Sequence, residues 1–205
     1  MRPLGGNTML DTKARPYVKP ILDKTADFFI KIGLSANQVT VLAFVIGVGA
    51  AVLVGFGWMW TGVLILWLSG LLDAVDGTMA RKTKQSGFGT VMDVTFDRVV
   101  EAGIIIALAV RFPEQQFILL LLMASILFGI TAFLTIGNVV QNKGVKSFHY
   151  ATGIAERTEG FILLSLMVVT APMFLFWTTG LFLVIEIIST VQRLIEAHRQ
   201  LDKEG

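Results

Sequence analysis

The sequence predicts an all-α integral membrane protein: six transmembrane helices preceded by an N-terminal amphipathic helix at the cytoplasmic interface. Three observations carry that prediction. First, 54% of the 205 residues are hydrophobic and only 16% charged, with a mean hydropathy of +0.72. That is more apolar surface than a soluble domain of this size can cover. Second, the apolar residues fall in runs near 37–57, 59–79, 90–110, 115–140, 152–175 and 177–197. Each meets the requirement of roughly 20 residues for a helix crossing about 30 Å of hydrocarbon. Third, the connections alternate in character. "FGWMW" (56–60) and "FWTTG" (176–180) carry aromatics and no charge, as interfacial belts do, and "RFPEQQ" (111–116) holds a single arginine.

Basic residues collect on the other side. The N-terminal arm has Arg2, Lys13, Arg15, Lys19, Lys24 and Lys31, and the loop at 81–84 has Arg81, Lys82 and Lys84. Lys143 and Lys146 lie in the loop at 141–147, and Arg193, Arg199 and Lys203 at the C-terminal end. At least fourteen of the seventeen basic residues therefore share one side, and the positive-inside rule makes it the cytoplasmic side, with both termini. No cleavable signal peptide is expected, because the first 25 or so residues are polar, so the first span should serve as its own insertion signal. The absence of cysteine excludes disulfides and thiolate metal sites, and His149 and His198 are too far apart to suggest a local metal pair. The net charge of +2 is small. No nucleic-acid partner is expected.

Ahead of the first span, Val18, Ile21, Leu22, Ala26, Phe29 and Ile32 recur at helical spacing, while Lys19, Asp23, Lys24, Asp27 and Lys31 take the other face. This suits a helix lying among lipid headgroups; a helix packed on the protein itself is the alternative. Gly33 is placed to end it, and "SANQ" (35–38) has capping-box spacing, with Ser35 as N-cap and Gln38 three residues on. One domain is expected: an arm at 1–34, a membrane domain at 35–198 and a tail at 199–205.

The chemistry concentrates at 73–97, "DAVDGTMARKTKQSGFGTVMDVTFD". Asp73 and Asp76 lie three apart at the end of the second span, and Asp93 and Asp97 four apart at the start of the third, so each pair shares a helical face. The short loop between suggests antiparallel neighbours whose four carboxylates converge. Such charges repel one another unless something positive binds, and an all-oxygen ligand set favours Mg²⁺, Mn²⁺ or Ca²⁺. Gly77, Ala80 and Gly89 allow close approach of a ligand, and Arg81 suits bidentate phosphate recognition. This is equipment for phosphoryl transfer. Helix caps, an ion or proton pathway of a transporter, and a purely structural cation site are the competing readings.

Those same residues, Asp73, Asp76, Gly77, Ala80, Arg81, Gly89, Asp93 and Asp97, occupy all the fixed positions of DxxDGxxAR…GxxxDxxxD. The stretch resembles the signature of the CDP-alcohol phosphotransferase (phosphatidyltransferase) family. One departure is visible: "KTKQSGF" puts seven residues between Arg81 and Gly89 where that family usually has eight, with Gly87 expected to absorb the tighter turn. The resemblance implies six spans, Mg²⁺ (or Mn²⁺), a CDP-linked lipid donor, a small alcohol acceptor, CMP as product and a homodimer among membrane lipids. It further implies that Asp73, Asp76 and Asp93 hold metal, with Asp97 completing the site and serving as general base. Gly77, Ala80, Arg81 and Gly89 would line the nucleotide pocket, Arg81 near the diphosphate. Glu101, one turn past Asp97, is a further ligand or supports the site.

For the acceptor, "GIAERTEG" (153–160) places Glu156, Arg157 and Glu159 at the cytoplasmic end of the fifth span, and Arg193 ends the sixth. These arginines either pair with Glu156 or Glu159 or grip an acceptor phosphate. "ERTEG" and Asp97–Arg98 resemble segments of the phosphatidylinositol-phosphate and archaetidylinositol-phosphate synthases, and "GLSANQVT" their "GLTPNxVT", with Ala36 replacing proline and Gly160 a second arginine. Lys143 and Lys146 offer further positive charge or belong to a solvated loop. Asn37 and Thr40 touch the nucleotide, or cap and pack. A phosphorylated acceptor, inositol phosphate or glycerol phosphate, is favoured over serine or inositol.

Overall fold

The computed structural model describes residues 10–142 and 157–201, and everything described is helix or short connection. The helices are α1 (Leu10–Lys31), α2 (Ala36–Gly55), α3 (Met59–Lys82), α4 (Gly87–Arg111), a 3-10 turn at Pro113–Gln115, α5 (Gln116–Asn142), α6 (Arg157–Thr170) and α7 (Leu175–Leu201). Four segments are long and apolar enough to cross a membrane: Ala36–Gly55, Met59–Lys82, Pro113–Val140 and Leu175–Leu201, with Thr158–Thr170 a shorter apolar helix. α4 falls short for a compositional reason. Asp93, Asp97, Arg98 and Glu101 fall within its first fifteen residues, leaving nine apolar residues before Arg111. Outward-facing side chains such as Leu64 (70% exposed) and Leu127 (65%) show that these helices present hydrocarbon, not charge, to their surroundings.

The helices form two compact units, Met1–Arg111 and Phe112–Gly205. In the first, α2 is the shared partner: α3 and α4 each pack along it, and α1 packs on α3. The spine of α2 is small. Ala43, Gly47, Ala50, Ala51 and Val54 are buried along one side, which lets neighbouring backbones come close. At Gly47 the approach is closest: an added Cβ would lie 2.6 Å from Val100 Cγ2 of α4 and 2.8 Å from Ser69 Oγ of α3. Ser69 Oγ in turn donates to the Ala43 carbonyl at 2.7 Å, satisfying a buried hydroxyl on the backbone of α2. Gly62 admits Val54 and the Ala50 carbonyl, and Gly103 admits Ala51. Near the polar end, the Phe44 and Phe96 rings stack with centroids 4.2 Å apart, joining α2 to α4.

The helix ends follow the local sequence. α1 closes in a Schellman motif: Leu34 N–H donates to Phe29 O (3.1 Å), Gly33 N–H to Ile30 O (3.0 Å), and Gly33 has φ +84°. Ser35 then caps α2 in the expected capping box, its hydroxyl accepting from Gln38 N–H and Gln38 Oε1 accepting from Ser35 N–H. Gly57, φ +91°, repeats the Schellman closure at the end of α2 through Trp58 N–H to Leu53 O. Gly87 does not behave as expected. It is the first residue of α4 and has no positive φ; the short connection is instead turned by four residues ending in Ser86, whose hydroxyl accepts from Gly89 N–H at 2.9 Å.

The apolar arc of α1 divides in two. Ala26 is fully buried and packs, with Leu22, Phe29 and Ile30, against Leu72, Val75 and Met79 of α3 and Val39 and Ala43 of α2. Val18, Ile21, Phe28 and Ile32 stay exposed on an adjacent stripe. The helix is thus both packed on the protein and apolar on an uncovered side.

In the second unit α7 packs on α5 and α6. Gly129 of α5 is a notch for a polar cluster of α7: an added Cβ would overlap Glu186 Oε1 and lie 3.0 Å from the buried Thr190 Oγ1.

Because Gly47 is where α3 and α4 meet α2, Gly47→Leu should destabilise the protein by about 1–3 kcal/mol as an overpacked contact. Gly49, with open space where a Cβ would go, is the control: thermal unfolding in detergent should shift for Gly47→Leu and not for Gly49→Ala.

Candidate active site

Asp73 and Asp76 stand three residues apart in α3 and are 8% and 5% exposed. Asp93 of α4 is half-buried, and one carboxylate oxygen from each of the three lies within 4.8 Å of the others. The convergence is not achieved by packing α3 against α4, as the short loop had suggested. Both helices instead pack more extensively on α2, which holds their polar ends at a separation that carboxylates, rather than apolar side chains, fill.

Three carboxylates so close, two of them shielded from water, repel strongly unless a cation offsets the charge. Asp73 Oδ2 and Asp76 Oδ2 are buried and accept no hydrogen bond, a cost that a hard cation removes by taking those oxygens as ligands. The donor set therefore fits a divalent metal. Among the described residues this trio is the only such acidic, histidine or cysteine group. Asp97 lies outside it, half-buried one turn farther along α4.

Beyond the carboxylates, the last turn of α3 carries Arg81, which is exposed. Its Nη2 donates to Thr78 Oγ1 at 2.9 Å, and the Thr78 hydroxyl donates to the Ala74 carbonyl at 3.0 Å. Gly77 stands beside it: a Cβ there would meet Arg81 Nη1 at 3.5 Å, an ordinary contact. Ala80 is half-buried on the same turn. At Gly89 a Cβ would lie 2.9 Å from both Asn37 Oδ1 and Ser86 Oγ. The glycine thus admits the start of α2 to the start of α4, and packing accounts for at least part of Asn37's position. Thr40 is buried and bonds the Ala36 carbonyl.

Glu101 is paired: Arg98 Nη1 meets its Oε2 at 2.6 Å, a supporting role rather than a place in the trio. Two further residues shape this end of the protein: Thr78, which sequence reasoning passed over, and Lys82, which it read only as positive charge in the 81–84 loop. Thr78 orients Arg81, a pairing readable from the three-residue spacing. Lys82 Nζ reaches back to α1, 2.7 Å from Asp27 Oδ1 and 3.3 Å from Asp23 Oδ1, which no local pattern announces.

Of the acceptor candidates, Arg193 is half-buried on α7 with its guanidinium carbon 5.9 Å from the centre of the Phe133 ring of α5, a cation–π contact. Arg157 is the first residue of α6; its side chain, like Lys143, Lys146 and Glu156, lies outside the described residues.

Comparison with known proteins agrees with this geometry. The chain is 31% identical over 163 residues to the inner membrane protein YnjF of Escherichia coli, spanning 76% of this chain and 79% of that one. It is 29% identical over 194 residues to the archaetidylinositol phosphate synthase of Pyrococcus horikoshii, spanning 93% and 98%. Its fold matches the Mycobacterium tuberculosis phosphatidylinositol phosphate synthase with CDP-DAG bound at a TM-score of 0.69, with 24% identity, over 87% of this chain and 94% of that one. The same enzyme in complex with manganese and citrate matches at 0.66. The sequence pattern of the CDP-alcohol phosphatidyltransferases covers residues 33–192, so the chain belongs to that family of metal-dependent enzymes, which move a phosphatidyl-type group from a CDP-linked donor to an alcohol.

Proposed function

We propose that this enzyme transfers the phosphatidyl-type group of a CDP-diacylglycerol-like donor to the hydroxyl of a phosphorylated alcohol, inositol phosphate or glycerol phosphate, and releases CMP. The observation that carries the reading is the carboxylate trio of Asp73, Asp76 and Asp93, with Asp97 one turn beyond and Arg81 on the neighbouring turn of α3.

Asp73, Asp76 and Asp93 hold Mg²⁺ or Mn²⁺, with Asp97 at the edge of the site. Bound there, the metal supplies Lewis-acid stabilisation of charge on the phosphate under attack and on departing CMP. Arg81, turned by Thr78, receives the diphosphate, and Gly77, Ala80 and Gly89 line the nucleotide pocket. The acceptor hydroxyl is a poor nucleophile near neutral pH. Asp97 takes its proton as the oxygen forms its bond to the lipid-linked phosphorus, and the bond to CMP breaks, CMP leaving with the electron pair. Arg193 and Arg157, with Lys143 and Lys146, attract the acceptor's phosphate. The names of the archaeal and mycobacterial relatives support a phosphorylated acceptor.

On this reading α2–α7 make six spans within 35–198, the arm of 1–34 and tail of 199–205 are cytoplasmic, and the site opens on the cytoplasmic face. The distribution of basic residues supports that orientation, and the uncovered stripe of Val18, Ile21, Phe28 and Ile32 supports α1 as a helix seated at the lipid interface. A homodimer within the bilayer belongs to the same reading.

Three outcomes test it. With Mg²⁺ and CDP-diacylglycerol, the purified protein should release CMP with inositol phosphate or glycerol phosphate and much less with inositol or serine. Silence with every acceptor would sink the enzyme reading, and turnover with serine or inositol alone would sink the phosphorylated one. Asp97→Asn should lower kcat by about 10²–10⁴-fold while CDP binding persists, whereas Asp93→Asn should weaken Mn²⁺ binding measured by electron paramagnetic resonance; a fully active Asp97→Asn protein removes the base. Since the chain has no cysteine, single introduced cysteines report sidedness cleanly. Lys84→Cys should react with an impermeant maleimide only in permeabilised cells and Glu114→Cys in intact ones, and the reverse pattern overturns the topology.

A further inference from the structure

The apolar contact between α1 and α3 runs out at Met79, where α3 still has its last turn to make. Lys82, three residues on, shares the face of Met79 that looks at α1. There Nζ donates to Asp27 Oδ1 (2.7 Å) and to the Asp23 backbone carbonyl (3.1 Å), with Asp23 Oδ1 at 3.3 Å. Helix ends fray where nothing holds them, and Thr83 has already left helical geometry (φ −115°, ψ −93°). Arg81 is the residue before Lys82, about 100° round the helix. Fixing the azimuth of Lys82 therefore fixes that of Arg81, whose guanidinium is already turned by Thr78.

We propose that Asp23, Asp27 and Lys82 form a latch by which the surface helix α1 positions the last turn of α3, and with it Arg81, to receive the donor's diphosphate. The inference rests on the reading of Arg81 given above. It makes Lys82, Asp23 and Asp27 positioning residues rather than catalytic ones, and it gives α1 a part in nucleotide binding without touching nucleotide. The pair is exposed enough that it adds little to global stability; its effect is local, on one turn.

The test is calorimetric titration of CDP into the full-length protein in detergent with Mg²⁺, beside Mn²⁺ affinity by paramagnetic resonance and the thermal midpoint. Lys82→Met and the double variant Asp23→Asn/Asp27→Asn should each weaken CDP binding about five-fold, the ceiling for an exposed ion pair. The triple variant should be no weaker than the double, because one interaction is removed only once, and Lys82→Arg should keep wild-type affinity. Mn²⁺ affinity and thermal midpoint should stay unchanged throughout, since the carboxylate trio lies upstream of this turn. Unchanged CDP affinity in Lys82→Met, with affinity lost in Arg81→Gln, overturns the latch alone. Loss of Mn²⁺ binding or a lowered midpoint in step with CDP affinity reduces the pair to a structural contact and overturns it too. Unchanged CDP affinity in Arg81→Gln overturns the diphosphate role of Arg81 and the latch with it.

Discussion

Everything at the polar end of the first unit depends on how closely α3 and α4 can approach α2. Between helices in hydrocarbon there is little hydrophobic driving force, so association rests on dispersion contacts and hydrogen bonds at short range. Gly47 supplies the short range, with Val100 and Ser69 filling the place of its missing side chain, and Ser69 adds the hydrogen bond to Ala43 O. Against this packing works the repulsion of three carboxylates held within 4.8 Å. The two terms act about one helical turn apart, Ser69 standing four residues before Asp73 on α3, so the packing fixes a geometry that the charges alone would not adopt. A divalent cation reverses the sign of the second term, and metal binding and helix packing then favour one arrangement.

That division explains why the site's elements have such different neighbours. Asp73 and Asp76 are buried because α3 lies against both α2 and α1 at their level. Arg81 and Lys82, one to two turns on, are exposed and make polar contacts, Arg81 to Thr78 and Lys82 to α1. The proposed metal ligands are thus set by packing and the proposed phosphate ligand by hydrogen bonds. Substitutions in the two layers should be independent to the extent that the layers share no partner.

Much of this was legible in the chain itself, where local rules govern. Gly33 and the Ser35–Gln38 box end one helix and start the next because caps are decided within six residues. The three- and four-residue spacing of the aspartates identifies shared faces because the helix period is fixed. What was not legible was long-range. A seven-residue connection between Arg81 and Gly89 invites the assumption that α3 and α4 pack side by side, yet the partner of both is α2. A glycine within an apolar run, as at 47 or 103, says that something comes close without saying what. The Lys82 pair spans 55 residues of sequence to Asp27, and lysine in a basic loop has a sufficient local explanation already. Gly87 misled for the opposite reason: its freedom was available but unused, because Ser86 capped the helix at less conformational cost.

The charges of α4 reach beyond the mature protein to how it is made. Asp93, Asp97, Arg98 and Glu101 make α4 a poor candidate to partition into lipid unaided, since each charge well inside a helix costs about 2.5–3.5 kcal/mol on insertion scales. Only nine apolar residues follow Glu101 before Arg111. On the six-span reading, α4 enters the bilayer as a passenger, admitted because α2 and α3 precede it and α2 already offers a small-residue surface, with Gly47 against Val100, on which it packs. Chain order is then a condition of biogenesis: the helix carrying half of the acidic motif can be threaded only after the two that will hold it.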